Sequence, residues 1–189
     1  MLQIQHIDHD SRSHWLKKPI SSGNYRQWLM DKGSLTARLK QRYPAFAVLP
    51  VRHSYAKPLL DESQLLIMTS YQVALIREVF LLDGTKAVVF AHSVLPRKSL
   101  SGAWLGLSHL GSKPLGERLF VNKRVKRTAL RYKKISSRDA LYKQATKYLS
   151  YQPAASVGSA ALWARRSVFK LNRASIMVTE VFLPQLLKD

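Results

Sequence analysis

The sequence predicts an α+β fold in which a single antiparallel β-sheet is flanked by helices. Residues 71–82 and 85–96 are rich in β-branched and aromatic side chains, and an Asp-Gly dipeptide, typical of a tight hairpin turn, separates them. Residues 176–183 form another such run. Helical signals lie outside these runs, at 24–43 and 137–151. Because short turns connect the strands, the sheet is expected to be antiparallel.

The helical segments carry start and stop signals. Residues 24–30 predict a helical turn, and Ser34 is a suitable N-cap for a second helix over 35–43, which Pro44 ends. Residues 137–151 have the spacing of an amphipathic helix. The first two helices are expected to form a helical hairpin.

The remaining strands are shorter or interrupted. Residues 45–56 predict an extended segment broken at Pro50, and 98–120 predict a partly helical stretch punctuated by glycines. Residues 167–171 predict a strand that a turn at Asn172-Arg173 joins to the last strand.

Length and composition indicate one folded domain over residues 1–189, with a polar leader at 1–23. The sequence is 46% hydrophobic, which argues against disorder, and it has no cysteine, which excludes disulfides and thiolate chemistry. No signal peptide and no membrane-spanning run is evident, so we expect a soluble cytoplasmic protein without membrane insertion.

Charge is the unusual property of this protein. It has 31 Lys and Arg against 11 Asp and Glu, a formal net charge of +20. Such an excess attracts nucleic acid, acidic lipid or a small acidic molecule, and the net charge alone does not indicate which of these is the partner. The densest run, 123–134, is most simply a solvated face.

Two charged residues stand within apolar rows of predicted strands. Side chains alternate along a strand, so Arg77 shares a face with Leu75 and Val79, and Glu180 shares one with Ile176 and Phe182. Burying an unpaired charge costs several kcal/mol. One possibility is that Arg77 and Glu180 form a buried ion pair. The other is that both line a closed cavity, in which Arg77 contacts an anionic ligand and Glu180 contacts a hydroxyl group or a proton that is being transferred.

Several motifs resemble one known family. The blocks WLMDKGSLTARL, LIREVFLLDG, VLPRKSLSG, LGSKPLGERLF, ALWARRS and VTEVFLP, in this order from about Asn24 to Pro184, are similar to those of the chorismate lyases. The resemblance implies one antiparallel sheet flanked by helices, with two helix-turn-helix lids over a buried ligand site.

The family's chemistry is the elimination of pyruvate from chorismate to give 4-hydroxybenzoate, a precursor of ubiquinone. Aromatisation drives this reaction, so the resemblance implies no cofactor and no metal. It also implies a catalytic and substrate-binding role for Arg77 and Glu180, and substrate contacts at Leu35, His92 and Leu115.

The sequence departs from the family pattern in two places. His92 stands where an arginine is usual, although a dianionic substrate calls for two cationic partners. Residues from about 137 to 160, a helix and a small-residue loop, have no counterpart in compact family members and are expected to be a surface addition.

Two other classes of function stay open at this point. The same fold serves as the effector-binding domain of certain bacterial transcription regulators, but only about twenty residues precede it here, too few for a DNA-binding domain. A basic nucleic-acid-binding protein would interleave exposed aromatics with lysines, whereas these aromatics occupy apolar periodic positions. The expected partners are therefore chorismate and its product, with no specific nucleic acid, and the protein is expected to be a monomer.

Overall fold

The computed structural model describes residues 15–147 and 161–188. Within these two ranges there are seven strands: β1 (Phe46–Ala56), β2 (Ala74–Asp83), β3 (Lys86–Pro96), β4 (Lys126–Arg127), β5 (Arg131–Ile135), β6 (Leu162–Leu171) and β7 (Ala174–Phe182). The helices are α1 (Arg26–Leu29), α2 (Leu35–Arg42), α3 (Leu60–Leu65), α4 (Arg97–Leu100), α5 (Leu115–Val121) and α6 (Ala140–Lys147). Short 3-10 turns cover Gly23–Tyr25, Leu107–His109 and Pro184–Leu187.

All described strands belong to one antiparallel sheet. Its order is β1-β2-β3-β7-β6-β4, and β5 also pairs with β6. The hairpins β2–β3 and β6–β7 each join strands that follow one another in sequence, and β3 pairs with β7 at the centre. This arrangement confirms the predicted α+β fold.

The two faces of the sheet are covered by different helices. One face, here called the lid face, carries Arg77, Ser93 and Glu180 and packs against α1, α2 and the segment 97–121. The other, here called the far face, carries His92 and packs against α3 and α6. Because apolar side chains cover both faces, the central strands are buried almost throughout.

Local signals in the sequence account for most boundaries. Ser34 caps α2, its Oγ accepting a hydrogen bond from the Ala37 N–H at 3.3 Å. The extended segment that the sequence predicts, with an interruption at Pro50, corresponds to β1: the strand continues through Pro50, and its pairing with β2 shifts in register between Pro50 and Arg52. An edge strand tolerates a proline since one side of its backbone needs no partner in the sheet.

Three expectations change in the structure. The basic run 123–134 is not simply a solvated face, because it supplies β4 and β5, which pair with β6. Leu16, in the predicted polar leader, exchanges backbone hydrogen bonds with Tyr132. The helix predicted over 137–151 begins at Ala140, and its residues after Lys147, like the loop to 160, lie outside the described residues. The described helix α6 is not the expected surface addition, because its Leu141, Tyr142 and Ala145 are buried in the core of the far face.

A one-residue bulge interrupts the β2–β3 ladder. Leu82 pairs with Ala87, but Leu81 pairs with Val89, so Val88 is the extra residue. Beyond the bulge, Arg77 lies opposite Ser93 rather than opposite His92. A shift of one residue exchanges the two faces of a strand, so the bulge decides which side chains of β3 reach the lid face.

None of the described helices is long and apolar enough to cross a membrane.

The β2–β3 turn gives a simple test of local backbone energetics. Gly84 has φ +56°, and a Cβ there would meet only the Ala45 Cβ at 4.0 Å. Gly84→Ala should therefore lower the free energy of unfolding by about 1 kcal/mol through the left-handed backbone alone. Urea denaturation measures this loss. Gly102→Ala, where nothing lies within 4 Å of the new methyl, is the control, and equal stability of the two variants would contradict the explanation.

Candidate active site

A small, largely enclosed cavity lies between the lid face and the N-terminal ends of α2 and α5. Its volume is about 40 Å³. It is lined by residues of α2, α5 and five strands, with Pro114 just before α5: Leu35, Thr36, Arg77, Val79, Leu81, Ala91, Ser93, Pro114, Leu115, Gly116, Leu119, Phe120, Arg127, Phe169, Val178 and Glu180. Four of the five residues expected to bind substrate therefore lie around one cavity: Leu35, Arg77, Leu115 and Glu180.

Glu180 is paired with a residue that was not among the predicted site residues. Its Oε2 accepts a hydrogen bond from Arg165 Nε at 2.5 Å. The Arg165 side chain is completely buried, and 15% of the Glu180 side chain is exposed. The ion pair considered between Arg77 and Glu180 is thus replaced by one between Arg165 and Glu180, neighbours on β6 and β7.

Arg165 also fixes the C-terminal end of α1. Its Nη1 donates to the carbonyl oxygens of Trp28 at 2.7 Å, Asp31 at 2.6 Å and Leu29 at 3.3 Å. Carbonyls at the end of a helix lack intrahelical partners, so the guanidinium satisfies them. One side chain therefore connects the site carboxylate to the bend that leads from α1 to α2.

The sequence contains a signal for Arg165. The predicted strand 167–171 extends in the structure towards the N-terminus and includes residues 162–166. Because side chains alternate along a strand, Arg165 then lies on the same face as Ser167. The two adjacent arginines and the alanine-rich segment before them lack the usual β-strand composition. For this reason local composition does not predict the start of β6.

Arg77 is buried in the cavity wall without a carboxylate partner among the described residues. Its Nη2 donates to the carbonyl oxygens of Gly111 at 3.0 Å and Lys113 at 2.9 Å, which hold it against the segment before α5. Its Nε is buried and has no acceptor in the described part of the protein. Burial lowers the pKa of the Arg77 guanidinium, because the charge loses water there. Such a group is suited to bind an anion.

The two lid helices meet above the cavity. Leu35 and Leu115 are the first residues of α2 and α5, and both are buried. Lys40 of α2 forms an ion pair with Glu117 of α5. At Gly116, an added Cβ would lie 3.0 Å from Thr36 Oγ1, so the two helices approach each other as closely as glycine allows.

Arg127 is a second cationic group in the cavity wall. It lies on β4, and its Nε donates to Ser167 Oγ at 2.7 Å. In the sequence it is one member of the basic run, and no role was predicted for it. Only the pairing of β4 with β6 brings it to the site.

His92 does not lie with the other expected site residues. Ala91 and Ser93 face the cavity, so alternation turns His92 to the far face. There His92 Nδ1 lies 3.0 Å from Glu78 Oε1, and Nε2 lies 3.1 Å from Glu62 Oε1. The expectation that His92 contacts the substrate is corrected by this position, and the bulge at Val88 is its physical cause.

His92 instead belongs to a buried charge cluster that joins α3 to the sheet. Burial by itself lowers the pKa of an imidazole, but the contacts with Glu62 and Glu78 outweigh it and raise the pKa of His92 to about 9. Arg52 Nη1 lies 3.5 Å from Glu78 Oε1 and adds a second positive charge. The cluster is balanced internally, which suits a structural role.

A larger groove of about 830 Å³ lies at one end of the sheet, between the loop 66–73, α4 and the β6–β7 turn. It is open to solvent, and none of the expected site residues lines it. Of the two, the small cavity is the better candidate for chemistry, because it combines enclosure with a buried charge that lacks a carboxylate partner among the described residues.

Comparison with known proteins identifies the family. The sequence profile of the chorismate lyases matches residues 11–189. The probable chorismate pyruvate-lyase of Methylobacillus flagellatus is 45% identical over 177 residues, which are 94% of this chain and 96% of that protein. The one of Thiobacillus denitrificans is 49% identical over 162 residues, 86% of this chain and 83% of that protein. The chain belongs to the chorismate lyase family, and it is an enzyme of the lyase class.

Solved structures show the same fold at low sequence identity. The effector domain of PhnF from Mycobacterium smegmatis has a TM-score of 0.51 at 14% identity, covering 81% of this chain and 90% of that one. A GntR-family transcriptional regulator from Bacillus cereus has a TM-score of 0.52 at 12% identity, covering 75% and 93%. This likeness concerns the fold alone.

The His92 cluster predicts that stability falls at alkaline pH. Below the ordinary pKa of 6.5 both the folded and the unfolded protein hold the imidazole proton, so the stabilisation is fully present. As pH rises from 6.5 towards about 9, the unfolded protein loses the imidazole proton while the folded protein still holds it. Over this range the free energy of unfolding should decrease by on the order of 3 kcal/mol. Urea denaturation between about pH 6 and 10 measures the decrease.

His92→Gln should remove this pH dependence, and Glu62→Gln should reduce it. If His92→Gln keeps the slope of the unmodified protein between pH 6.5 and about 9, another group is responsible and the assignment of the cluster is wrong.

Because α2 and α5 approach each other closely, Gly116 is predicted to be sensitive to substitution. Gly116→Ala places a methyl 3.0 Å from Thr36 Oγ1, so α2 and α5 must separate or rearrange. Amide hydrogen exchange in α2 should become faster, by about tenfold if separation costs about 1.4 kcal/mol. Hydrogen-exchange mass spectrometry follows this, with Gly102→Ala as the control. Unchanged exchange in α2 would show that the contact does not hold the lids together.

Proposed function

We propose that this protein eliminates pyruvate from chorismate, giving 4-hydroxybenzoate for ubiquinone synthesis. The observation that carries the proposal is a buried arginine, Arg77, whose Nε lacks an acceptor among the described residues and which lines one cavity with Glu180. A buried donor without a partner calls for an acceptor from outside the protein. The ring carboxylate of chorismate supplies that acceptor and the negative charge that Arg77 requires.

Glu180 is proposed to accept a hydrogen bond from the ring hydroxyl. Its Oε2 already accepts a hydrogen bond from Arg165 Nε, and its other carboxylate oxygen can accept one from a ligand. With Arg77 on the ring carboxylate and Glu180 on the hydroxyl, the ring is held at opposite ends.

The C–O bond between the ring and the enolpyruvyl group then breaks, the adjacent ring carbon loses its hydrogen, and the released enolpyruvate takes up a proton to become pyruvate.

The enclosed site is proposed to contribute by orientation. A fixed ring and side chain favour the eliminating conformer, an effect worth several kcal/mol. The main-chain N–H groups of Leu35 and Leu115 begin α2 and α5, where helices have no internal acceptor, so they are suited to bind the substrate's oxygens.

Lid opening is part of the proposed cycle. The cavity volume of about 40 Å³ is far below the roughly 150 Å³ that holds a benzene ring. An aromatic ligand therefore enters only when α2 and α5 move or side chains rearrange. Release of 4-hydroxybenzoate through the same lids is expected to limit turnover.

The proposal predicts stoichiometric formation of both products from chorismate. Arg77→Gln and Glu180→Gln should each lower kcat/KM by at least about 100-fold, because each removes a charged contact inside a closed site. Absorbance follows 4-hydroxybenzoate, and lactate dehydrogenase with NADH follows pyruvate. Circular dichroism establishes that the variants fold.

Arg173→Gln is the matched control, since it removes one exposed positive charge that lines the larger groove and not the cavity. Saturable binding of 4-hydroxybenzoate without turnover would instead indicate a non-catalytic anion-binding domain. Loss of activity in Arg173→Gln alone would place the chemistry in the groove.

A further inference from the structure

The cavity contains more positive charge than its internal partners neutralise. Among the residues that the structure describes, three charged ones line it: Arg77, Arg127 and Glu180. Glu180 is neutralised by Arg165, its neighbour on β6. Neither Arg77 nor Arg127 forms an ion pair with a carboxylate of the described residues. The closed site therefore has a surplus of two positive charges.

Chorismate carries two carboxylates, one on the ring and one on the enolpyruvyl side chain. Arg77 accounts for the first, and His92, the expected partner of the second, faces the other side of the sheet. Building on the proposed function, we infer that Arg127 binds the enolpyruvyl carboxylate and makes the site selective for dianionic ligands.

The position of Arg127 fits this role. The strands β2 and β4 are separated by β3, β7 and β6, a distance of about 19 Å at ordinary strand spacing. Arg77 and Arg127 thus extend towards one cavity from distant strands, across small side chains such as Ala91 and Ser93. A ring lying above these residues has its two carboxylates directed to different arginines.

The guanidinium of Arg127 is held in a defined orientation. Nε donates to Ser167 Oγ at 2.7 Å, and Nη1 donates to the Lys32 carbonyl oxygen at 3.1 Å. The Phe120 and Phe169 rings lie 5.5 Å and 5.2 Å from its Cζ. The described hydrogen bonds of Arg127, to Ser167, Lys32 and Gly33, involve only Nε and Nη1. Within the described residues Nη2 is therefore the nitrogen available to a ligand.

The same contacts connect Arg127 to lid closure. Lys32 and Gly33 belong to the bend before α2, and their carbonyl oxygens lie 3.1 Å and 3.5 Å from Nη1. After the reaction, pyruvate takes the second carboxylate away and leaves a monoanion beside two arginines. The product is then bound by one fewer ion pair than the substrate, which favours its exchange for a new chorismate.

The experiment compares two stable aromatic ligands by isothermal titration calorimetry. 4-Hydroxybenzoate has one carboxylate, and 4-(carboxymethoxy)benzoate adds a second on an ether side chain. Arg127→Gln should weaken the second ligand by about 10- to 100-fold and change the affinity for 4-hydroxybenzoate by less than about threefold. Arg77→Gln should weaken both ligands. Arg127→Lys should recover part of the selectivity.

Lys126→Gln is the control, because it removes an exposed charge from the neighbouring position of β4. Equal weakening of both ligands by Arg127→Gln would overturn the inference, since it would show a role in lid structure only. No change for either ligand would overturn it as well. If the unmodified protein neither binds 4-hydroxybenzoate nor converts chorismate, the proposed function itself fails, and this is seen before any variant is made.

Discussion

The buried ion pair between Arg165 and Glu180 is the interaction on which the site depends. A guanidinium without any contact to water is tolerated because its charge is balanced by Glu180 at Nε and solvated by three carbonyls around the end of α1 at Nη1. Loss of Arg165 would leave Glu180 as an unpaired charge in the cavity wall. It would also release the bend that directs α2 over the site.

Side-chain alternation divides the polar groups of the sheet between two faces with different electrostatics. The far face holds a balanced cluster in which His92 lies between Glu62 and Glu78. The lid face holds Arg77 and Arg127 without acidic ion-pair partners among the described residues. Balanced charge stabilises the fold, whereas unbalanced charge in a closed space is suited to bind an anion.

The basic character of the protein has a specific consequence at this cavity. The run 123–134, the densest part of the +20 charge, forms β4 and β5 and extends the sheet beyond β6. Through this pairing one of its arginines reaches the lid face. The composition of this run is typical of a solvated surface, but it contributes Arg127 to the cavity wall. The reason is that alternate side chains of a strand point to opposite faces of the sheet.

Neighbouring residues were enough to predict the β2–β3 hairpin, the cap at Ser34 and the charges within the apolar rows of β2 and β7, because each of these depends on local sequence. Family motifs indicated Leu35, Arg77, Leu115 and Glu180, which the structure brings to one cavity. The pairing of Glu180 with Arg165 and the arrival of Arg127 at the site could be known only from the three-dimensional structure, since both follow from strand pairing between distant segments.

The face on which His92 lies was also decided by the three-dimensional structure. The bulge at Val88 shifts the register of β3 by one residue, and no local pattern in the sequence specifies where such a bulge falls.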